Sequence, residues 1–509
     1  MPVLVFLAAV AIRGTQALLD ATPYLLIGSV LAGAASIGLH PERTRSLFAS
    51  PLRGPLLAAA LAVLLPVCSI GALPLLTVLH RRGMPARAWL TLALAAGILH
   101  PFSLTYGLTL LDPATLALFA LTALAPAVAA AVLLPATPTP AAQPLPPPSI
   151  LAGGRRVAAI AWFGACELAG PALPWIALAA LGAGLIGAIV PHGSLDMTIL
   201  ADDPAAPLRM LGIAPPAHVT PERAMMLTSQ IFKHTCSAGA AYLLFALGAG
   251  ANLGLIGLTI AALGRRHAVR PLLATAALAL LIAAGFHAFV HLPGIDYGDT
   301  HAFDRMANPF SSTSDLRSLR FIIAKELEPL PIGPLTVTAA LLAIGLTARH
   351  QPIRRRVEAA LSTAPPAPAS PGLWSRALPP RAVALVTLAL ALVAATALVF
   401  VYFPAPDETF DDMRIVRADA LAALYSQSNP TALQSLQTWE TLNRKLVVGT
   451  LLRHGPLPES QRLASRALSD SLDKLRQAVA AGAPLDQTRR LALAVEDSYA
   501  QLRRAYQRP

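Results

Sequence analysis

Residues 238–263 read AGAAYLLFALGAGANLGLIGLTIAAL, a stretch without a single charged side chain. A membrane-spanning helix needs about 20 consecutive apolar residues, so this stretch is long enough to cross a bilayer. The whole chain has the same character, because 55% of its 509 residues are apolar and only 13% are charged. A soluble protein of this length could not bury so much apolar surface. The sequence therefore predicts an all-α, polytopic membrane protein and excludes a disordered chain and a typical soluble enzyme.

Eight segments are apolar enough to be transmembrane helices. They are residues 21–39, 89–111, 114–135, 170–190, 238–263, 271–291, 334–348 and 381–403. Prolines interrupt two further apolar segments, 55–80 and 205–236. Backbone that leaves a helix at membrane depth is tolerated only where protein or a watery cavity surrounds it, so both are predicted to be re-entrant hairpins. Residues 1–12 are predicted to be a lead-in or part of the first span rather than a cleaved signal peptide, because no positively charged stretch precedes them.

Basic residues predict the orientation in the membrane. The formal charge is +12, and of 39 basic residues only four are Lys, while many Arg lie in short clusters between apolar runs. Such clusters mark cytoplasmic loops, so the charge is interpreted as a topology signal and not as a nucleic-acid-binding surface. The clusters assigned to the cytoplasm include those at 43–53, 81–87, 155–156, 265–270 and 354–356. The predicted location is the bacterial inner (plasma) membrane.

Two pairs of segments indicate an internal duplication. The Pro-Tyr pair at 23–24 recurs as Pro-Trp at 174–175, 151 residues later. Residues 88–97 (AWLTLALAAG) are similar to residues 241–250 (AYLLFALGAG), 153 residues later. By the arginine clusters the two halves have opposite orientation. Inverted repeats with broken hairpins are typical of secondary transporters, which bind their substrate near the midplane between the halves.

The predicted domains follow from these boundaries. They are a first membrane repeat at 1–135, a Pro/Ala-rich cytoplasmic linker at 136–156, a second membrane repeat at 157–292, an external loop at 293–333, two additional transmembrane helices with a cytoplasmic linker at 334–404, and an extracytoplasmic four-helix domain at 405–509. The last domain is predicted to be a soluble bundle, because residues 405–509 carry 14 basic and 12 acidic side chains. Its helices are drawn at 408–428, 431–453, 459–481 and 486–507, between Pro- and Gly-containing breaks.

Three short stretches resemble a known family. Residues 20–33 (DATPYLLIGSVLAG), 65–74 (LPVCSIGALP) and 79–83 (LHRRG) are similar to the predicted-permease family that includes the bacterial organoarsenical efflux permeases. The resemblance extends over roughly residues 15–292 and implies a permease of two similar halves that acts as an efflux carrier. Ile70 stands where the family often has a second Cys, and the C-terminal domain lies outside the resemblance.

Cys68 and Ser69, between the prolines of the first hairpin, are candidate substrate-binding residues. A broken hairpin frees backbone groups for a substrate, and a thiol adds a soft ligand for a metalloid. The alternative is that Cys68 is simply a small buried apolar residue. None of the three Cys of the chain is expected to form a structural disulfide, because all lie in apolar surroundings.

His100 and Asn252 follow the two duplicated segments almost in register, and Pro101 is predicted to kink its span. A polar residue at the break of each half suits a midplane substrate site, whereas the alternative role is hydrogen bonding between helices. Lys233, His234 and Cys236 follow the second hairpin and are further candidates. Ionisable groups in a membrane usually face a cavity, and imidazole exchanges protons near neutral pH. The alternative is that Lys233 snorkels to the interface and His234 caps a helix.

A weaker pattern concerns metal binding. His287 and His291 are one helical turn apart at the outer end of a span, and Asp296 and His301 follow them. Imidazole and carboxylate groups together can bind a divalent cation. The alternative is that these side chains lie at the outer interface without a metal. No cofactor is expected, and the pattern of an ATP-binding P-loop is absent from the sequence.

Three functions are open at this stage. The first is a permease that exports a small solute, such as a metalloid or metal species, by ion-coupled alternating access between two inverted halves. The second is a channel, or a membrane-anchoring subunit whose external helical domain recruits a protein partner. The third is a membrane enzyme with Cys68 as nucleophile and His100 or His234 as base, for which the sequence supplies no third, orienting group. The sequence leaves oligomerisation open.

Overall fold

The computed structural model describes residues 3–134, 154–233, 236–290, 301–311, 316–327, 332–362, 399–400 and 402–507. These residues are helical apart from short connections and one isolated β-bridge between Leu200 and Cys236. The all-α prediction is therefore confirmed for the described part of the chain. The predicted Pro/Ala linkers, the span 381–403 and the first part of the external loop lie largely outside the described residues. The chain divides into two compact units, Met1–Val386 and Thr387–Pro509.

The first unit contains the predicted membrane segments up to residue 348. Its helices are α1 (Val3–Gly38), α2 (Pro41–Phe48), α3 (Arg53–Leu64), α4 (Leu73–Arg81), α5 (Ala86–Ile98), α6 (Pro101–Leu110), α7 (Pro113–Leu133), α8 (Gly154–Ala169), α9 (Leu173–Ile189), α10 (Leu195–Thr198), α11 (Ala206–Ala217), α12 (Pro221–Lys233), α13 (Ala238–Leu243), α14 (Leu253–Leu263), α15 (Arg265–Phe289), α16 (Leu319–Leu327), α17 (Ile332–Thr347) and α18 (Gln351–Ser362). A π-helical turn, Leu244–Gly248, continues α13, and 3₁₀ turns lie at His301–Met306 and Leu316–Ser318.

Within the described residues, four helices are long and apolar enough to cross a membrane by themselves. They are Val3–Gly38, Ala86–Leu110 (α5 with α6), Pro113–Leu133 and Arg265–Phe289. Four further pairs of helices pass the same test together but bend by more than 40° at a short break. The number of candidate spans is therefore between four and eight, and the chain is a multi-pass membrane protein.

The first helix extends through Arg13, well before the predicted start of the first span at residue 21. The guanidinium of Arg13 donates to Glu326 and Gln16, both over 2.6 Å, and to the carbonyl oxygens of Asp304 (2.6 Å) and Ala307 (2.7 Å). A charged side chain is tolerated inside a membrane helix when it is paired and hydrogen-bonded in this way. Residues 3–12 therefore belong to the same helix as the first span.

The predicted span 170–190 is the second half of a longer bent element. Helix α9 follows α8 after a three-residue break, at an angle of 53°. Glu167, near the end of α8, is nearly buried and pairs with Arg81, and its second oxygen accepts a hydrogen bond from Thr77 over 3.3 Å. Both α8 and α9 pack along α1, so that the first helix lies against both arms of the bend.

Residues 405–507 of the C-terminal unit form four helices that begin and end within three residues of the predicted bounds. They are α19 (Pro406–Tyr425), α20 (Asn429–His454), α21 (Glu459–Ala480) and α22 (Leu485–Gln507). Each helix packs against two of the others, and all four contribute to one hydrophobic core around Trp439 and Leu446. Apolar residues at helical spacing explain this arrangement, because each helix presents one apolar stripe to its neighbours.

One polar network lies inside the C-terminal core and provides a stability test. The amide nitrogen of Asn443 donates to the carbonyl of Ser465 (2.9 Å) and the hydroxyl of Ser469 (3.0 Å), and its oxygen accepts from the hydroxyl of Ser465 (3.0 Å). We expect Asn443→Ala to lower the free energy of unfolding by about 1–3 kcal/mol, because it leaves buried partners without hydrogen bonds. Thermal unfolding of the full chain in detergent checks this. The exposed helix residue Gln437→Ala is the control, and equal unfolding temperatures would contradict the prediction.

Candidate functional site

Four of the interruptions between the described helices of the first unit are joined by contacts. The interruptions are residues 65–72 between α3 and α4, 99–100 between α5 and α6, 218–220 between α11 and α12, and 249–252 between the π-helical turn and α14. Proline explains three of them, because Pro66 lies inside the first and Pro101 and Pro221 begin the helices that follow the second and third. The predicted break at Pro101 is confirmed.

The second and fourth interruptions have the same local structure. His100 caps α6, since its Nδ1 accepts the backbone N–H of Ser103 over 3.2 Å, and Asn252 caps α14, since its Oδ1 accepts the N–H of Leu255 over 2.8 Å. The two breaks also touch. A Cβ atom added to Gly97 would lie 2.1 Å from the carbonyl oxygen of Ala249, so only glycine allows this approach. The two polar residues that follow the duplicated segments thus occupy equivalent cap positions.

The first interruption packs against α1 and reaches the third. A Cβ atom added to Gly28 of α1 would lie 1.8 Å from the carbonyl oxygen of Gly71, so the backbones are in direct contact. Cys68 and Ser69 are fully buried in this segment. The thiol of Cys68 accepts a hydrogen bond from the N–H of Gly71 (3.2 Å), and the hydroxyl of Ser69 lies 3.3 Å from Nδ1 of His218.

The third interruption joins the fourth through the backbone. His218 has φ +44°, a conformation that costs energy for a residue other than glycine. The next residue, Val219, donates its N–H to the carbonyl of Gly248 over 2.9 Å. This hydrogen bond connects the turn between α11 and α12 to the π-helical turn that precedes Asn252. Contacts therefore link all four interruptions.

Glu222, in the first turn of α12, connects the third interruption to the second and to α1. Its Oε1 lies 3.0 Å from Nδ1 of His100, and its Oε2 accepts a hydrogen bond from the hydroxyl of Tyr24. The next residue, Arg223, forms an ion pair with Asp20, one turn before Tyr24 on α1. A carboxylate in the first turn of a helix is favoured by the helix dipole, and here it also has two side-chain partners.

We call these side chains the interruption cluster; its members are Tyr24, Cys68, Ser69, His100, His218, Glu222 and Asn252. Three buried nitrogen atoms of the cluster have no hydrogen-bond partner within the described residues. They are Nε2 of His100, Nε2 of His218 and Nδ2 of Asn252. Buried polar groups are normally hydrogen-bonded, so three unpartnered ones at joined helix breaks indicate a place where a polar ligand or water binds.

The cluster contains a Ser–His pair but not a catalytic triad. Nδ1 of His218 faces the hydroxyl of Ser69, and its Nε2 has no acidic partner in the part of the chain that the structure describes. A serine nucleophile needs a base that is oriented by a third group. The arrangement therefore offers binding groups rather than an assembled nucleophile.

The other predicted site residues lie elsewhere or outside the description. Cys236 is buried in the β-bridge with Leu200 at the start of α13, so α13 and the π-helical turn separate it from Asn252 by about 15 Å. Lys233 ends α12, but its side chain is not described, and His234 lies outside the described residues. These three residues stay predictions.

The predicted metal site stays a prediction. Nδ1 of His287 lies 2.8 Å from the hydroxyl of Ser237. His291 and Asp296 lie outside the described residues, and the side chain of His301 is not described. Among the residues that are described, no group of three or more His, Cys, Asp or Glu side chains has the arrangement of a metal site.

Sequence reasoning missed three members of the cluster. Glu222 and His218 lie in the proline-rich second hairpin, and Tyr24 was noted only as part of the repeat. The signal that identifies Glu222 is an acidic residue directly after Pro221 in an apolar chain with 27 acidic residues in all. Ionisable residues within membrane segments usually have a functional partner.

Comparison with known proteins gives a family match in the N-terminal part of the chain. Residues 7–140 match the model of the family ArsP_1, described as a predicted permease. The resemblance expected from residues 20–33 and 65–83 is thereby confirmed. The permease match includes Tyr24, the first interruption and His100, and it ends before the third and fourth interruptions. No curated protein and no solved structure shows a significant match to the chain.

Proposed function

We propose that this membrane permease is a secondary carrier whose substrate binds at the interruption cluster. The observation that carries the proposal is the set of three unpartnered buried nitrogens at the contact of four helix breaks. In carriers built from inverted repeats, broken helices provide the substrate and ion sites near the membrane midplane. The equivalent breaks at His100 and Asn252, one in each predicted repeat, support the same plan.

The cluster favours a small solute with both soft and electron-rich character. Helices α4, α6, α12 and α14 each begin at an interruption, so four positive helix ends lie at linked positions. Cys68 adds one soft sulfur ligand and His218 an imidazole nitrogen. This combination suits a thiol-reactive metalloid species with attached oxygen, and the family resemblance supports an arsenical in particular. Export is the direction that the same resemblance supports.

Alternating access accounts for the closed state of the cluster. Cys68, Ser69, His100 and Asn252 are fully buried, so a solute reaches them only after the surrounding helices move. The backbones approach closely at two glycine contacts, Gly97 with Ala249 and Gly28 with Gly71. Because no glycine side chain lies between them, the helices can slide there without displacing side chains. Such glycine contacts suit two arrangements of the same helices.

A growth assay tests the proposed site. A bacterial host without its own arsenical exporters would express the intact protein, Cys68→Ala or Cys166→Ala. The first variant removes the soft ligand of the cluster, and the matched control removes a partly exposed thiol on α8. We expect the intact protein and the control to protect against phenylarsine oxide, and Cys68→Ala to lower the tolerated concentration about tenfold, the effect of roughly 1.4 kcal/mol of lost binding.

Other results of this assay lead to different conclusions. Equal protection by Cys68→Ala and the intact protein would remove Cys68 from the transport path. Absence of protection in all three strains, with normal expression, would contradict the metalloid assignment. Protection against antimonials or divalent metals instead would change the proposed substrate class but leave the proposal of a secondary carrier in place.

A further inference from the structure

Glu222 and Ser103 make competing demands on one nitrogen atom. Nδ1 of His100 accepts the backbone N–H of Ser103 over 3.2 Å, which requires a lone pair on that nitrogen. The same Nδ1 lies 3.0 Å from Oε1 of Glu222. An ionised carboxylate can only accept, so the second contact is a hydrogen bond only if a proton lies on Nδ1 or on the carboxyl group. The position of one proton therefore decides which partner His100 satisfies.

Two protonation states give two different structures at the second interruption. When Glu222 carries the proton, its O–H donates to Nδ1, the lone pair stays where the cap needs it, and His100 continues to cap α6. When Glu222 is ionised, the ring proton moves to Nδ1 and donates to Oε1, and the N–H of Ser103 loses its acceptor. Loss of an N-cap destabilises the first turn of a helix. Protonation of the carboxyl group is thus linked to the end of α6.

The exposures indicate where the proton enters. The side chain of Glu222 is 29% exposed, whereas that of His100 is 0% exposed. The carboxyl group is therefore the more accessible member of the pair. A change in its protonation reaches the buried part of the cluster through the imidazole of His100. Ser103 extends the connection, because its hydroxyl donates to the carbonyl of Pro221 over 2.7 Å, immediately before Glu222. A change at the cap of α6 therefore alters the hydrogen bond that Ser103 makes to the start of α12.

The described titratable groups around this carboxyl group include no arginine or lysine that is paired with it. Tyr24 donates to Oε2, and Arg223, the nearest cation on the same helix, is paired with Asp20. The remaining groups on the elements packed around the pair are Cys68 on the first interruption, His218 on the third, and Asp304 and Arg305 on the 3₁₀ turn beside α12, which interact with Arg13. None of the interactions described for Glu222 is an ion pair with Arg or Lys.

We propose that Glu222 and His100 form the proton-binding site of the carrier and that their shared proton switches the cap of α6. The proposal rests on the proposed carrier function and adds the identity of the coupling ion. One proton enters from water when the cluster is open on one side, converts carboxylate to carboxylic acid, and leaves from the same group when the cluster opens on the other side. An O–H bond of Glu222 forms and breaks in each cycle, and the neutral ring of His100 exchanges an N–H bond at Nε2 for one at Nδ1 and back.

A substrate-free experiment tests the proton site itself. The full chain is reconstituted in lipid vesicles, and infrared difference spectra are recorded between about pH 3 and pH 8, a range that includes the ordinary pKa values of both carboxyl groups and imidazole. We expect a carboxyl C=O band and a histidine ring band that both disappear in Glu222→Gln. Asp202→Asn, which removes an exposed carboxylate, is the control and keeps both bands. If Glu222→Gln does not fold, Glu222→Asp is used instead, because it shifts the carboxyl band without removing it.

A transport experiment tests the coupling. The probe is phenylarsine oxide, and two assays are used. The first measures accumulation of the probe inside vesicles across which a pH gradient is imposed. The second measures exchange of internal probe for external probe in preloaded vesicles without a gradient. We expect Glu222→Gln to lose gradient-driven accumulation, down to the rate of protein-free vesicles, and to keep exchange of the probe. Gradient-driven accumulation by Glu222→Gln, or infrared bands unchanged in that variant, would overturn the proposal. Bands that depend on Glu222 in a protein that does not move the probe would sustain the proton site and contradict the proposed substrate class.

Discussion

The Arg13→Ala variant is expected to lose about 3–5 kcal/mol of folding stability, because it leaves Glu326 as a buried carboxylate without its partner. The side chains of Arg13 and Glu326 are 2% and 8% exposed, and the same guanidinium donates to two carbonyl oxygens within the predicted external loop. Thermal unfolding of the purified protein in detergent measures the effect. A large decrease in unfolding temperature is the expected result.

Two further variants separate the lost ion pair from a general effect of removing arginine. Arg209→Ala breaks a pair with Asp203 on the surface, where ion pairs contribute about 0–1 kcal/mol, so it should unfold nearly as the intact protein does. The double variant Arg13→Ala, Glu326→Ala removes the unpaired charge and should recover part of the loss. Equal unfolding temperatures for Arg13→Ala and Arg209→Ala would show that the buried pair does not hold the segment 301–327 on α1.

The Gly97→Ala variant is expected to lose transport and about 1–3 kcal/mol of stability. Its new Cβ atom would lie 2.1 Å from the carbonyl oxygen of Ala249, and neither backbone can yield without moving a helix break. Gly285→Ala on α15 is the matched control, because nothing lies within 4 Å of the added atom. Alanine is a better helix former than glycine by about 1 kcal/mol, so the control should be neutral or more stable.

Transport of phenylarsine oxide into inverted membrane vesicles, together with thermal unfolding, distinguishes the two glycine variants. We expect the control to transport at the rate of the intact protein and Gly97→Ala at the rate of vesicles without the permease. Full transport by Gly97→Ala would show that the contact between the second and fourth interruptions can be opened without consequence, which would contradict its proposed place in the transport path.

Local sequence patterns predict the helices of the fold better than they predict which side chains contact one another. The helices of the C-terminal unit follow from apolar spacing and Pro/Gly breaks, both of which are local. The start of α1 did not follow, because Arg13 looks like the end of an apolar run. The charge of Arg13 is tolerated inside the helix because it pairs with Glu326, more than three hundred residues later in the chain. Likewise, Glu167 and the arginines of α8 obscured the first half of the bent element that ends in α9, and Arg81 compensates Glu167.

The candidate site shows the same division. Cys68 and Ser69 are predicted from the prolines of the first hairpin and from the family resemblance, and His100 and Asn252 from the repeat, since helix breaks are visible in the sequence. Glu222 and His218 were not, because their importance lies in contacts with His100 and Ser69 that join distant parts of the chain. Sequence spacing locates breaks, but only the packing of α12 against α6 shows which breaks meet.

The accessibility of Cys68 from the two sides of the membrane tests the carrier account most directly. The measurement uses a variant that retains only this cysteine, with Cys166→Ser and Cys236→Ser, in right-side-out and inverted vesicles. A membrane-impermeant thiosulfonate reagent is applied with and without phenylarsine oxide. The account predicts modification of Cys68 from both sides and protection by the arsenical, because the cluster opens alternately to each side. A Cys68 thiol that reacts from neither side, while a variant retaining only Cys166 does react, would show an ordinary core cysteine and contradict the account.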